Sequence, residues 1–255
     1  MSIRQRVAVL LGLTAVVAFG LLAVEPIPQD PAYHRFIDTR TKFGVPNFGD
    51  VVSNLAFGVV GIAGLVVLTG RRRRDIFVRP ADARPYLAFF LGVTLVSLGS
   101  AWYHWSPSNA SLLWDRLPMT IAFMALCSAF VADRIDARAG TTWLLALLIA
   151  MGGSSVAYWF WTESLGRGDL RFYAFVQFFP MLVLPVLCGL FPAHRFTPMR
   201  YVGWILAWYV LSKVLEFFDG QVFALLDDTV SGHSLKHLAA AMATLVVLRM
   251  LLARR

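Results

Sequence analysis

Charge is scarce in this chain. Of its 255 residues only 15% are Asp, Glu, Lys or Arg, and 58% are hydrophobic. A soluble domain averages about 25% charged residues, so the deficit excludes an ordinary water-soluble globule and points to a polytopic membrane protein. Cysteine is scarcer still. Cys127 and Cys188 each lie inside an apolar run, and they read as buried small residues rather than as a disulfide or metal ligands. No internal repeat, flexible linker or low-complexity tail interrupts the pattern.

Long apolar runs are plentiful. Eight can be drawn, at 7–24, 50–70, 85–105, 114–132, 142–160, 172–191, 199–218 and 234–252. Each approaches the ~20 residues that a helix needs to cross the hydrocarbon core. Twenty Phe, eight Trp and seven Tyr suit lipid-facing and interfacial positions. The connecting segments are short and carry Pro, Gly or charge, and the second run starts near a Pro-Asn-Phe-Gly turn at 46–49. The expected fold is an all-α integral membrane bundle of seven helices, residues 26–255, preceded by an extra transmembrane helix in residues 1–25. Arg4 and Arg6 ahead of the first run resemble a signal peptide, but the run is long for one and no clean cleavage site follows. A retained helix is the expectation.

The net charge of +8 has a topological cause. With the N-terminus in the cytoplasm, one side collects Arg4, Arg6, Arg71–Arg74, Arg79, Arg84, Arg134, Arg138, Arg195, Arg200, Arg249, Arg254 and Arg255, fifteen of the 23 basic residues. The other side holds Arg35, Arg40, Lys42, Arg167, Arg171 and Arg116, the last at an expected helix start. Lys213 and Lys236 fall inside spans. This is a positive-inside bias, so the Arg71–Arg74 run anchors topology and implies no nucleic-acid partner. Both termini are expected in the cytoplasm, and the Arg-rich loops suit a bacterial inner membrane.

Against this apolar background the histidines stand out. His233 and His237 form an H-x-x-x-H pair at the start of the last run, and His104 closes the third, four residues after Ser100. Residues four apart share a helix face, and ionisable groups within the bilayer are rare and usually functional. The topology brings His104, His233 and His237 to one depth on the outer side, together with Asp115, Ser53 and Asn54. Three neutral imidazoles with an open fourth position can hold Zn²⁺, which activates a water and polarises a carbonyl. Asp115 could carry the water's proton to a leaving group, and Ser100 could steady an oxyanion.

Structural alternatives stand beside these roles. Ser100, after Gly99, could merely allow close helix packing. Asp115 could cap a helix N-terminus with Pro118 in its first turn. Ser53 and Asn54 could be interhelical hydrogen-bond formers. His34 and His194 fall in loops and read as surface residues. Lys213, Glu216 and Asp219 form a second polar cluster, which Lys236 could join by pairing with Glu216 or Asp219. Structural pairing and binding of a substrate head group both fit it.

The order S-N at 53–54, S-x-x-Y-H at 100–104, D-R-L-P-M at 115–119 and G-H-x-x-K-H at 232–237 resembles the alkaline ceramidases, members of a superfamily of seven-helix membrane hydrolases that includes adiponectin receptor-like proteins. The resemblance covers about residues 47–252. It implies that His104, His233 and His237 are zinc ligands, that Asp115 and Ser100 assist the water, and that the reaction is hydrolysis of the amide of ceramide or a related N-acyl lipid. The chain departs from the pattern twice. Asn47 stands where a calcium-binding glutamate would be expected, so calcium is not carried over. The first helix is additional. The alternative function is a receptor or carrier in which the metal only ties helices together. A bis-His haem fits poorly, because histidines four apart on one helix converge on one metal.

Overall fold

The computed structural model describes residues 1–254. Its long helices are α1 (Ile3–Leu22), α2 (Phe48–Thr69, interrupted at Ser53 and Asn54), α3 (Arg84–Trp105), α4 (Asn109–Arg134), α5 (Trp143–Ser164), α6 (Arg171–Leu190) and α7 (Met199–Phe217). The short α8 (Asp219–Leu225) follows, then α9 (Gly232–Leu252). Among the described residues seven helices are long and apolar enough to cross a membrane, and α7 with α8 makes an eighth if the pair, bent by 82°, is one span. The protein is all-α and membrane-like, as its composition implies.

Local chemistry sets the helix ends. Ser108 and Ser111 form a reciprocal capping box, each side chain accepting from the other's backbone N–H, and this starts α4 at Asn109. The helix therefore begins a full turn before residue 114, so Asp115 and Arg116 sit inside it rather than at its start. The capping role for Asp115 is thereby removed, and Pro118 lies in the helix interior. Pro118 lacks the N–H that would bond to the Trp114 carbonyl. Gly99 of α3 packs against that same carbonyl, where a Cβ would overlap it, so α3 and α4 approach closely at the level of Ser100 and Asp115.

The helices form a ring. α9 packs on α2, α2 on α3, α3 on α4, and α4 on both α5 and α6, while α7 pairs with α9. Contact between α6 and α7 is sparse. α1 lies outside the ring along α6, with Leu10 its only buried residue among those described and Val16 and Phe19 facing outward. Such exposed apolar faces are what a hydrocarbon solvent requires.

Two ends of the bundle differ in content. At one end Arg134 donates to the Phe191 carbonyl (2.6 Å), to Thr197 Oγ1 (2.9 Å) and to the Thr197 carbonyl. Asp133 beside it accepts from the backbone N–H groups of Arg195, Phe196 and Thr197. Arg254 stacks on Phe196, Phe77 and Tyr86 nearby. The three histidines gather at the other end. Cys127 and Cys188 are free and buried.

Candidate metal centre

α3 delivers His104 from its last turn, and α9 delivers His233 and His237 from its first two. The Nε2 atoms of His104 and His233 are 3.3 Å apart. One ligand atom from each of the three histidines can be chosen so that all lie within 4.8 Å of one another, and all three residues are buried. This trio could hold a metal ion.

Other side chains aim the rings. Ser53 Oγ lies 2.8 Å from His237 Nδ1 and 3.1 Å from the Asp50 carbonyl. The carbonyl can only accept, so it takes the single hydroxyl proton, and His237 Nδ1–H donates to Ser53. That tautomer leaves the Nε2 lone pair free for a metal, the arrangement expected when a partner outside the ligand set orients a histidine. Asn47, in the left-handed conformation (φ 45°) that asparagine tolerates, donates its amide to the His104 carbonyl at 2.8 Å. The start of α9 is secured twice over. Ser231 caps Ser234 N–H at 2.9 Å, and Asp219 Oδ1 accepts from His233 N–H at 2.8 Å. Gly232 makes this possible, because a Cβ there would overlap the Leu215 carbonyl and Asp219.

Asp50 was not among the residues singled out by sequence, yet it ties α2 to α9. Fully buried, it accepts from Ser231 (2.9 Å) and Ser234 (2.7 Å) through Oδ1. Asn54 is buried beside it and donates to the Asp50 carbonyl at 2.7 Å. Asn54 is thus a strut of the interrupted α2 rather than part of the histidine cluster.

The loop between α1 and α2 closes the site from outside. Phe36 lies against His104 and His233, with ring centroids 4.7 and 5.6 Å away. His34 is half-buried, bridging the Tyr103 hydroxyl (3.1 Å) and the Asn109 side chain (3.0 Å). The surface reading of His34 is therefore wrong: the loop folds back over the bundle end, which no local pattern announces. His194 is exposed as expected. Farther along the loop, buried Asp38 grips Arg40 (2.6 Å), which also donates to the Asp228 and Thr229 carbonyls. That hydrogen-bonded guanidinium holds the Asp38 carboxyl below its ordinary pKa.

Inside the ring lies a cavity of about 450 Å³ with mainly apolar walls. Ser100, Asp115 and His237 all line it, and the Ser100 hydroxyl faces the Asp115 carboxylate. The structure therefore places both expected assisting residues on the same cavity wall as His237. In the second cluster Glu216 pairs with Lys213 (2.7 Å) and Lys236 (2.5 Å) on the cavity wall. Asp219 leaves that group for the α9 cap. Phe178 of α6 and Lys213 of α7 both line the cavity and are 49% and 35% exposed, at the seam where those two helices make little contact. No protein-family model, curated protein or solved structure matches the chain.

Proposed function

We propose that the protein is a membrane-embedded zinc hydrolase that cleaves the amide of ceramide or a related N-acyl lipid, as its resemblance to the alkaline ceramidases implies. The observation that carries this reading is a cluster of three buried histidines, one of which, His237, shares the wall of an apolar cavity with a carboxylate and a hydroxyl, Asp115 and Ser100. Four ligands at the ~2.0–2.1 Å typical of zinc–nitrogen bonds span tetrahedron edges of about 3.3 Å. The His104–His233 separation matches that edge. The donor set is three imidazoles with no thiolate, which suits zinc with one position left for chemistry. Zinc bound there would supply Lewis acidity toward a carbonyl and a water.

The remaining work falls to this chain's own residues. Asp115 takes the attacking water's proton and returns it to the amide nitrogen as the C–N bond breaks and the new C–O bond forms. Ser100 donates to the oxygen that gains negative charge at the former carbonyl. The apolar cavity takes the acyl tail, and the gap between α6 and α7 admits it from the bilayer. The fatty acid and the amine or sphingoid base leave separately. By the positive-inside argument the histidine end faces away from the cytoplasm, in a bacterial inner membrane.

Metal analysis of the purified protein, alongside turnover of a panel of N-acyl lipids, tests the reading. Near one equivalent of zinc with hydrolysis in wild type, and neither in His104→Ala, is expected. Zinc retained by wild type without hydrolysis of any N-acyl lipid would leave the ion a structural tie in a receptor or carrier.

A further inference from the structure

Among the described residues, Arg116 is the one cation on the cavity wall that no acidic side chain pairs. It is 6% exposed and lines the cavity. Its Nη2 donates to Gln29 Oε1 at 2.6 Å, and its Nη1 has no hydrogen-bond partner. Ion pairs among the described residues use Asp38, Asp82, Asp169 and Glu216, and none includes Arg116. Asp115 precedes it in sequence, but successive residues project about 100° apart around a helix. Asp115 faces Ser100, whereas the guanidinium lies among the rings of Trp159 (4.3 Å), Tyr173 (4.7 Å) and Tyr33 (5.8 Å). Aromatic faces stabilise a buried cation, and they also fix the guanidinium plane. The buried, unpartnered Nη1 is left as a rigid donor whose chemistry suits carboxylate, sulfonate or phosphate.

Place matters as much as pairing. The cavity runs along α9 from His237 to Val247, ten residues and about 15 Å at helical rise. Its far half is lined by Val93, Phe123, Leu126 and Val247, a wall for an alkyl chain. Arg116 sits at the other end with Ile27, Tyr33 and Leu170, close to the level of Asp115. A tail in the deep half therefore sets its polar end near His237 and its head group toward Arg116. The two lysines on the wall are engaged by Glu216, so the uncommitted positive charge is that of Arg116.

We propose that Arg116 is a head-group anchor that selects single-tailed amphiphiles bearing an anionic group one short spacer beyond the amide. Resting on the hydrolase reading, this narrows the substrate class to N-acyl lipids with acidic heads, such as N-acyl amino acids, in preference to neutral ceramide.

Binding, measured without turnover, tests this separately from hydrolysis. Affinities of the detergent-solubilised full chain are compared for N-dodecanoylglycine, N-dodecanoylethanolamine and dodecanoate, in wild type, Arg116→Gln and Arg116→Lys. A charge-assisted hydrogen bond predicts that the acidic amide binds about tenfold or more tighter than the neutral one. That preference should vanish in Arg116→Gln and persist in part in Arg116→Lys, while dodecanoate, whose carboxylate ends at the amide position, is unaffected by either change. Equal wild-type affinity for the two amides overturns the proposal, as does a preference that survives Arg116→Gln. Loss of dodecanoate binding alone would assign the guanidinium to the cleaved acid and also overturn it. Should Arg116→Gln fail to fold, the wild-type ratio and Arg116→Lys decide. Because binding is read directly, a protein that binds selectively but hydrolyses nothing would refute the hydrolase and spare the anchor.

Discussion

Arg134 and Arg116 lie on the same helix, α4, near opposite ends, and both are buried. Arg134 spends its donors on two carbonyls and a hydroxyl, clamping the segment between α6 and α7 to the end of α4. Arg116 makes one hydrogen bond, leaves its buried Nη1 without a partner, and lines a cavity. A buried polar group is tolerated when its hydrogen bonds are made, so the first arginine is explained by the fold alone. The second is not. The contrast extends to the two ends of the bundle, one closing on itself and the other carrying a histidine trio beside a cavity that His237 and Asp115 line. Arg254, at the closed end, also has unbonded nitrogens, but it is half-buried at the chain terminus and lies off the cavity wall.

The comparison breaks if changes at the two ends have the same kind of effect. The largest effect is expected from His104→Ala: metal content should fall from about one equivalent to none, with turnover below detection, while circular dichroism shows the helices intact. Asp115→Asn should follow, lowering kcat by about 10²–10⁴-fold, the usual range for a lost proton carrier, with the metal retained. Metal lost together with activity would make Asp115 a structural support instead. Ser53→Ala removes the group that orients His237 and should weaken metal affinity about 10–100-fold in a chelator competition.

At the closed end, Arg134→Met strands two carbonyls, each costing about 1–3 kcal/mol when left unsatisfied. Thermal unfolding should register that loss, with metal content unchanged. Arg116→Gln should cost less stability than Arg134→Met, because it orphans only Gln29.

The smallest effect concerns the Asp38–Arg40 strap over the histidine end. Asp38 has a folded pKa below its ordinary value, near 3.9 in an unfolded chain. Its stabilisation is therefore fully present above that value and is lost as pH falls through the lower folded one. Proteolysis of the loop between α1 and α2 should be slower in wild type than in Asp38→Asn at pH 6, and the difference should shrink below about pH 4. A difference that stays constant across that range would remove the ion pair from the explanation.

Much of this molecule was legible in its sequence because a bilayer simplifies the rules. Apolar runs mark spans without reference to partners, and the eight drawn at the outset overlap the helices observed, Arg84–Trp105 against 85–105 for example. Basic-residue counting grouped His104, His233, Ser100 and Asp115 at one end of the bundle, the end at which the histidines meet. It misjudged Arg116, because a charge count treats every arginine as solvated and cannot see an aromatic cage contributed by two other helices and a loop. Asp50 escaped notice for a similar reason. Its serine partners lie 181 and 184 residues away in the chain.

The sequence by itself determined the helices, their number to within the bent α7–α8 pair, and the histidine-bearing faces, since each depends on hydropathy and on the 3.6-residue period. Only the tertiary structure decided that Ser53 sets the tautomer of His237, that Phe36 covers the histidines, and that Arg116 turns from its neighbour Asp115 toward Trp159. Those outcomes rest on contacts between segments distant along the chain, where packing rather than local pattern selects the partner.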